Sequence, residues 1–277
     1  NLDSVSFRGR LYGHPGNVTA FGTFDTSLGA LSTNLVLSRV PESPLTAYDG
    51  RLSTDGFDLG RFLNEPEKLG SVSLQAGIQG EGLSLATVNM MIDGTIQALE
   101  LSGYEYQQIT IAGELSNQSF NGSLLVNDDN LYLDFLGMIN MEQDTPGFDF
   151  RAMVDRANLT RLNLYQRDPE AESVLSTSIV MNARGGSLSS MQGLFDIQSV
   201  RYVEQALPLA ERPFQREYQS GLIRLSNTLL ADDHHLLQIR SDFLDADLNG
   251  KIRFEALGEA VRGILAGFMP AYYQGGQ

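Results

Sequence analysis

The sequence predicts an all-β chain whose strands follow one another in an antiparallel meander. Apolar and polar residues alternate along most of its length, which places the apolar side chains of each strand on one face. Glycine is frequent and proline is scarce, at 28 and 9 of 277 residues, a ratio typical of repeated turns and bulges. Only short connections separate the alternating runs, and short connections favour pairing of consecutive strands.

The alternating runs recur from end to end. Apolar residues or glycine occupy every second position in 72–78, 92–96, 109–115 and 131–135, and again in 244–254. At about 10–12 residues for a strand and its turn, the chain has room for roughly twenty short strands. Each strand has one apolar and one polar face.

Turn-forming residues mark the boundaries between these runs. Asn-Gly, Pro-Gly and runs of Asp and Asn are the strongest such signals. They predict turns at 121–122, 128–130, 146–147 and 232–233.

Helical signals are few. Residues 57–63 (FDLGRFL) and 157–164 (ANLTRLNL) are each long enough for a turn or two. One short amphipathic helix is predicted over 256–269, ended by Pro270, because apolar residues recur there at helical spacing. Its apolar stripe consists of Leu257, Val261, Ile264, Leu265 and Phe268.

The two short helical segments resemble each other across about a hundred residues. A second pair, Gly-Thr-Ile at 94–96 and Gly-Leu-Phe at 193–195, has a similar separation. We therefore expect either one elongated β segment spanning 1–277 or two loose repeats, about 1–150 and 151–277.

Composition excludes several classes of function. The net charge of −15 disfavours binding to nucleic acid, which is itself negative. The absence of cysteine excludes disulfides, zinc–thiolate sites and thiol nucleophiles. No cofactor is predicted.

The polar clusters do not indicate catalysis. In Asp-Asp-His-His at 232–235, neighbouring side chains of a strand point to opposite faces, so we interpret the cluster as a hairpin tip. Asp242, Asp245 and Asp247 lack the spacing, glycine and closing glutamate of an EF-hand loop. No nucleophile elbow is present. We predict no catalytic residue, no metal ligand and no enzyme activity.

The apolar strand faces pose the central question, because they cannot remain in water. The sheet must close into a barrel, pack on a second sheet or fold into a trough. An ordinary sandwich core is the simplest solution. A trough needs an apolar guest, and an acyl chain contributes about 0.8 kcal/mol per buried methylene. The residues predicted to line such a groove are Leu74, Ile78, Ile96, Ile111, Leu133, Phe135, Phe150, Ile197, Ile239, Leu248 and Ile252.

Four stretches are notable: 18–29 (VTAFGTFDTSLG), 48–60 (YDGRLSTDGFDLG), 94–106 (GTIQALELSGYEY) and 241–250 (SDFLDADLNG), the last followed by Leu257 and Pro270. They resemble the TamB family, within the AsmA-like superfamily of bridge-like lipid-transfer proteins, in its Bacteroidota-type form. The likeness extends over nearly the whole chain, in its general residue pattern and in short sequence segments. On this resemblance we expect an internal piece of a longer protein.

The resemblance implies a fold and a function. The fold would be an elongated antiparallel sheet bent into an open groove of U-shaped cross-section, the β-taco. The longer protein would be anchored in the inner membrane and cross the periplasm, carrying phospholipid acyl chains to the outer membrane or assisting outer-membrane protein assembly. Its partner would be a TamA-like outer-membrane barrel, bound through regions outside this chain.

Two other functions remain open on the sequence. The first is an interaction scaffold whose strand edges pair with a strand of a barrel partner. The second is a self-contained β-sandwich that serves as a binding module.

Overall fold

A computed structural model describes residues 5–39, 45–64, 66–82, 87–116, 118–140, 146–165, 171–185, 190–207, 213–241 and 244–250. Within them lie fifteen strands, the helix α1 (Leu59–Leu63) and a short 3-10 turn at Ala231–Asp233. The strands are β1 (Val5–His14), β2 (Asn17–Thr26), β3 (Gly29–Arg39), β4 (Thr46–Asp58), β5 (Leu69–Glu81), β6 (Asn89–Leu101), β7 (Tyr104–Ser116), β8 (Ser119–Asn127), β9 (Leu131–Asn140), β10 (Gly147–Asn158), β11 (Ala171–Arg184), β12 (Gln192–Ala206), β13 (Gln215–Leu229), β14 (His235–Ser241) and β15 (Asp245–Gly250).

The fifteen strands form one antiparallel sheet in chain order. Each strand pairs with the strands before and after it, so the predicted all-β class and meander are confirmed. Among the described strands, β1 pairs only with β2 and β15 only with β14, so the sheet that they form is not closed. The predicted helix at 256–269 and the predicted groove residue Ile252 lie outside the described residues.

The strands are fewer and longer than the sequence predicts. The described residues hold fifteen strands instead of roughly twenty, since β12 and β13 each run for 15 residues. A strand of that length spans about 50 Å. The turn density of the sequence overestimates the number of strands because several glycines lie within strands.

One predicted turn is wrong for this reason. Asn121 and Gly122 lie inside β8, where Gly122 is opposite Gly113 of β7 and Gly137 of β9. The Phe120 ring lies over this row, about 3.0 Å from where a Cβ on Gly113 or Gly122 would be. Glycine therefore makes room here for a cross-strand aromatic ring and does not end the strand. The signals at 128–130 and 232–233 do lie between strands.

Two of the bulges in the described ladder lie at similar places. The register shifts in β4 between Thr54 and Phe57, and in β10 between Val154 and Ala157. At each bulge an extra residue reverses the alternation of side chains between the two faces of the sheet. The residues that follow the two bulges therefore point to the same face of the sheet. Phe57 and Ala157 are both buried as a result.

A short capped turn follows each bulge. After β4, the Asp58 carboxylate accepts a hydrogen bond from the Arg61 N–H at 2.9 Å and begins α1. After β10, the Asn158 side-chain oxygen accepts from the Arg161 N–H at 3.1 Å, but residues 159–163 form turns and not a helix. The similar segments at 57–63 and 157–163 thus occupy equivalent places in the sheet.

The second pair of similar segments, 94–96 and 193–195, does not occupy equivalent places in the sheet. Gly94 pairs with Ala76 of β5 and Ile111 of β7, in the middle of the strands. Gly193 lies near the beginning of β12, opposite Ala183 and Asn227. These two glycines therefore hold different positions along their strands.

The requirement for glycine in the row of Gly113, Gly122 and Gly137 can be tested at Gly137. Its φ is 144°, and an added Cβ would lie 2.3 Å from the Asp149 carbonyl oxygen and 2.5 Å from the Phe150 Cα. We expect Gly137→Ala to lower the free energy of unfolding by about 1–3 kcal/mol because of this clash. Urea denaturation measures it. The matched control is Gly147→Ala, whose Cβ would meet only Asn140 Cβ at 3.8 Å. Equal effects of the two substitutions would contradict this explanation.

Candidate functional site: the apolar face of the sheet

One face of the sheet is apolar across its whole width, and we call it the apolar face. Residues directly opposite each other on antiparallel strands share a face, so the pairing register identifies its rows. The row through Ile78 contains Leu11, Ala20, Leu35, Gly50, Ile78, Ile92, Gly113, Gly122, Gly137, Phe150, Met181, Phe195, Leu225, Ile239 and Ala246.

Neighbouring rows repeat this composition. A second row is displaced by two residues along the strands from the row through Ile78. It contains Ala76, Ile111, Leu124, Phe135, Ile179, Ile197 and Ile223. A further row contains Phe7, Phe24, Leu31, Leu74, Ile96, Ile109, Val126, Leu133 and Val154. The apolar face is thus continuous over several rows and not confined to one spot.

The ten predicted groove residues that the structure describes all lie on this face. They occupy four adjacent rows: Leu74, Ile96 and Leu133 in one, then Ile111, Phe135 and Ile197, then Ile78, Phe150 and Ile239, and finally Leu248. Some are in contact, such as Phe135 and Phe150, whose ring centroids are 5.2 Å apart. Others are separated by most of the sheet, as Ile78 and Ile239 are.

The apolar face is only partly buried. Of the predicted residues, Phe135 and Ile239 are buried and most others are half-buried, while Leu248 is 38% exposed. The described strands belong to one sheet, so they supply no second sheet to cover this face. Two clusters of buried apolar residues lie on this face: one contains Leu28, Phe57 and Val72, and the other joins Ile109 and Val126 to Leu162.

The opposite face is mainly polar and carries ion pairs between neighbouring strands. Arg8 contacts Asp25 at 2.8 Å, and Arg224 binds Asp196 through two nitrogens at 2.6 and 2.8 Å. The hydrogen bonds from Arg224 hold the pKa of the Asp196 carboxyl below its usual value. Charged ladders of this kind keep this face in water.

Cavities occur on both faces. One is lined by Phe7, Leu11 and Phe24 on the apolar face, and another by Thr23, Asn34 and Arg51 on the polar face. Shape alone therefore does not select one face as a binding surface. The chemical character of the two faces does select one, because only the apolar face has a continuous hydrophobic lining.

Two segments cover one end of the apolar face. The Ser102 N–H, in the turn between β6 and β7, donates to the Lys68 carbonyl beside α1 at 2.8 Å. On its other side, Asn163 Nδ2 donates to the Gly103 carbonyl at 3.1 Å. This bond links the 159–165 segment to a turn sixty residues earlier, and Leu162 is fully buried in the same cluster as Tyr106.

A buried hydrogen-bond network supports that end. The Asp128 carboxylate accepts from the Tyr104 hydroxyl at 2.6 Å and from the backbone N–H groups of Gln107 and Asn130 at 3.0 and 2.8 Å. Burial and this bond to Asp128 raise the pKa of Tyr104, and burial raises the pKa of Tyr106. The turn signal at 128–130 identified the loop but not this network.

The apolar face becomes polar at the same end of β11–β13. Ala157 pairs with Leu175, which pairs with Tyr202, and the Tyr202 hydroxyl donates to Ser173 at 3.0 Å. Between β12 and β13 the face continues through three pairs of opposite residues. Tyr202 is opposite Tyr218, Glu204 is opposite Arg216, and Val200 is opposite Ser220. We call Glu204, Arg216, Tyr218 and Ser220 the polar ladder. Sequence reasoning missed it, because bulges displace these residues from simple alternation.

Several residues of the acidic and histidine clusters make contacts within the chain. The His235 ring is buried with Nδ1 3.3 Å from the Asn227 side-chain oxygen, and Asp245 and Asp247 contact Arg240 at 2.5 and 2.8 Å. Among the described residues no three His, Asp or Glu side chains form a group suited to a metal ion. No helix in that part of the chain is long and apolar enough to cross a membrane.

Comparison with family models, curated proteins and solved structures finds no match to this chain. The resemblance to the TamB family therefore stays a prediction.

Leu162 tests the role of the 159–165 segment. It is 0% exposed, so Leu162→Ala should lower the free energy of unfolding by about 2–5 kcal/mol through the cavity it leaves. Leu164→Ala, in the same segment but at a side chain 59% exposed, should change it by less than about 0.5 kcal/mol. Thermal or urea unfolding gives both values. A small effect at Leu162 would mean that the segment does not pack as described.

The tyrosine network predicts loss of stability in alkali. Because the folded-state pKa values of Tyr104 and Tyr106 are raised, their contribution to stability is complete below the unfolded value of about 10. It is lost as pH rises through the folded values. Urea unfolding between pH 8 and pH 11 should show this decline. Tyr104→Phe should shrink it and destabilise the protein at pH 8 by about 1–2 kcal/mol, since Asp128 loses a partner. An unchanged profile would exclude the network as its source.

Proposed function

We propose that this chain is a segment of a periplasm-spanning, TamB-like bridge whose apolar face shields phospholipid acyl chains. The observation that carries the proposal is a continuous apolar face on a single open sheet, only partly buried by the chain's own side chains. A face of this extent in water is unfavourable and needs an apolar occupant.

An acyl chain has the right chemistry for this occupant. Ten methylenes removed from water contribute about 8 kcal/mol, which is enough for stable binding without any specific polar contact. The lining residues are aliphatic or aromatic and span many strands, so the contact is with a long molecule or a row of molecules. Movement along the face would exchange equivalent contacts, which suits transport between inner and outer membranes.

The same face also suits the second role implied by the resemblance, assistance in outer-membrane protein assembly. Alternating strands of a nascent barrel present an apolar side of similar width. An outer-membrane barrel partner would act through regions outside this chain.

The lipid proposal is tested by exchanging one lining residue. Ile78→Glu places a carboxylate among Ile92 and its neighbours, where burial of an unpaired charge is strongly unfavourable. Phospholipid retained after purification from detergent, measured by native mass spectrometry, should fall at least about tenfold. The control Met91→Glu introduces the same charge on the opposite face at a side chain 53% exposed, and should retain lipid normally. Lipid-free wild-type protein would overturn the proposal.

The open edges favour a second candidate, a strand-pairing scaffold. β1 has one neighbour, so half of its backbone groups face away from the described sheet. Such an edge can accept a strand from a partner. A photo-crosslinker at Tyr12 of β1 should capture a barrel strand if this role holds. Crosslinks to lipid alone would contradict it. The sandwich alternative loses support, because the described strands form one sheet.

A further inference from the structure

The polar ladder contains three buried polar atoms without a hydrogen-bond partner. They are Glu204 Oε1, the Tyr218 hydroxyl and Ser220 Oγ, and all three lie on the apolar face of β12 and β13. Leaving a buried polar atom unpaired is unfavourable, so native proteins seldom retain several together. Their grouping points to a ligand.

Glu204 is the decisive residue. Its side chain is 2% exposed, and Arg216 Nη1 donates to its Oε2 at 3.2 Å, which leaves Oε1 as a buried anionic acceptor. A buried carboxylate oxygen is best matched by a charged N–H donor. Arg216 itself is 52% exposed and has five N–H donors, so it can bind an anionic group beside Glu204. Together they suit a zwitterion.

The ladder is too long for a single small ion. Glu204, Tyr218 and Ser220 lie in successive rows, and neighbouring rows are about 7 Å apart along a strand. Beyond Ser220 the lining becomes apolar at Ile223 and Leu225. A fitting ligand therefore has an ammonium group, further polar groups in series and then an apolar tail.

We infer that the polar ladder is a head-group site for a phospholipid with a primary ammonium group, such as phosphatidylethanolamine. Glu204 and Tyr218 accept hydrogen bonds from the ammonium group, Arg216 binds the phosphate and Ser220 donates to a glycerol ester. The acyl chains follow Ile223 and Leu225 onto the apolar face. This inference rests on the proposed lipid function and adds a chemical preference to it.

The experiment measures head-group preference directly. The whole chain is equilibrated in maltoside micelles with equal amounts of phosphatidylethanolamine and phosphatidylglycerol of identical acyl chains, repurified and analysed for bound lipid by mass spectrometry. Wild type should be enriched in phosphatidylethanolamine about tenfold over the input. Glu204→Gln, which still accepts from Arg216, should return the ratio to that of the input while the total lipid stays unchanged.

Two further variants separate binding from folding. Tyr218→Phe removes a hydroxyl without a partner, so the fold should be unaffected while the enrichment falls. Glu217→Gln changes the neighbouring glutamate on the opposite face, which pairs with Arg201 at 2.9 Å, and should leave the enrichment intact. Loss of enrichment in Glu217→Gln would show a nonspecific charge effect and overturn the assignment.

Two further ligands show whether the ammonium group that is bound belongs to a lipid or to a small amine. Phosphatidylcholine, whose nitrogen carries no N–H, should show no enrichment over phosphatidylglycerol. Soluble phosphoethanolamine that binds in a Glu204-dependent manner without any lipid enrichment would overturn the lipid assignment in favour of a small amine. Lipid bound at the input ratio would overturn this inference alone. Absence of all bound lipid would overturn the proposed function as well.

Discussion

The fold depends on one constraint: every strand has an apolar side, and the described strands offer no second sheet to cover it. In a sandwich, two such faces bury each other at a separation of about 10 Å. Here fifteen strands share one sheet, and many Leu, Ile and Phe side chains on its apolar face stay half-buried. The proposal of an apolar occupant rests on this arrangement.

Several local irregularities of the chain lie at the ends of that face. The bulges at 54–57 and 154–157 turn Phe57 and Ala157 toward it, and the capped turns that follow place α1 and Leu162 there. The Asp128 network holds the adjacent turn in place. The middle rows, by contrast, are regular and lined by small or apolar residues.

Much of this was predictable from the sequence, because alternation is a local property. The strand class, the meander and the shared face of residues such as Ile111 and Phe150 follow from period two and short connections. The number of strands did not follow, since an Asn-Gly pair such as Asn121-Gly122 has the same local preference inside a strand as in a turn. The polar ladder was missed because Glu204 reaches the apolar face only after backbone shifts at Ser199, where φ is 52°. Such shifts depend on neighbouring strands and leave no periodic trace.

The uninterrupted order of the strands has a consequence for how such a chain changes in length. Because every strand touches only its sequence neighbours in the ladder, loss or gain of one hairpin leaves the direction and facing of all later strands unchanged. Each hairpin alters the width of the sheet by about 10 Å. A lineage carrying this architecture can therefore adapt its span to a new distance in small increments, by duplication or deletion of short gene segments, without redesigning an interior.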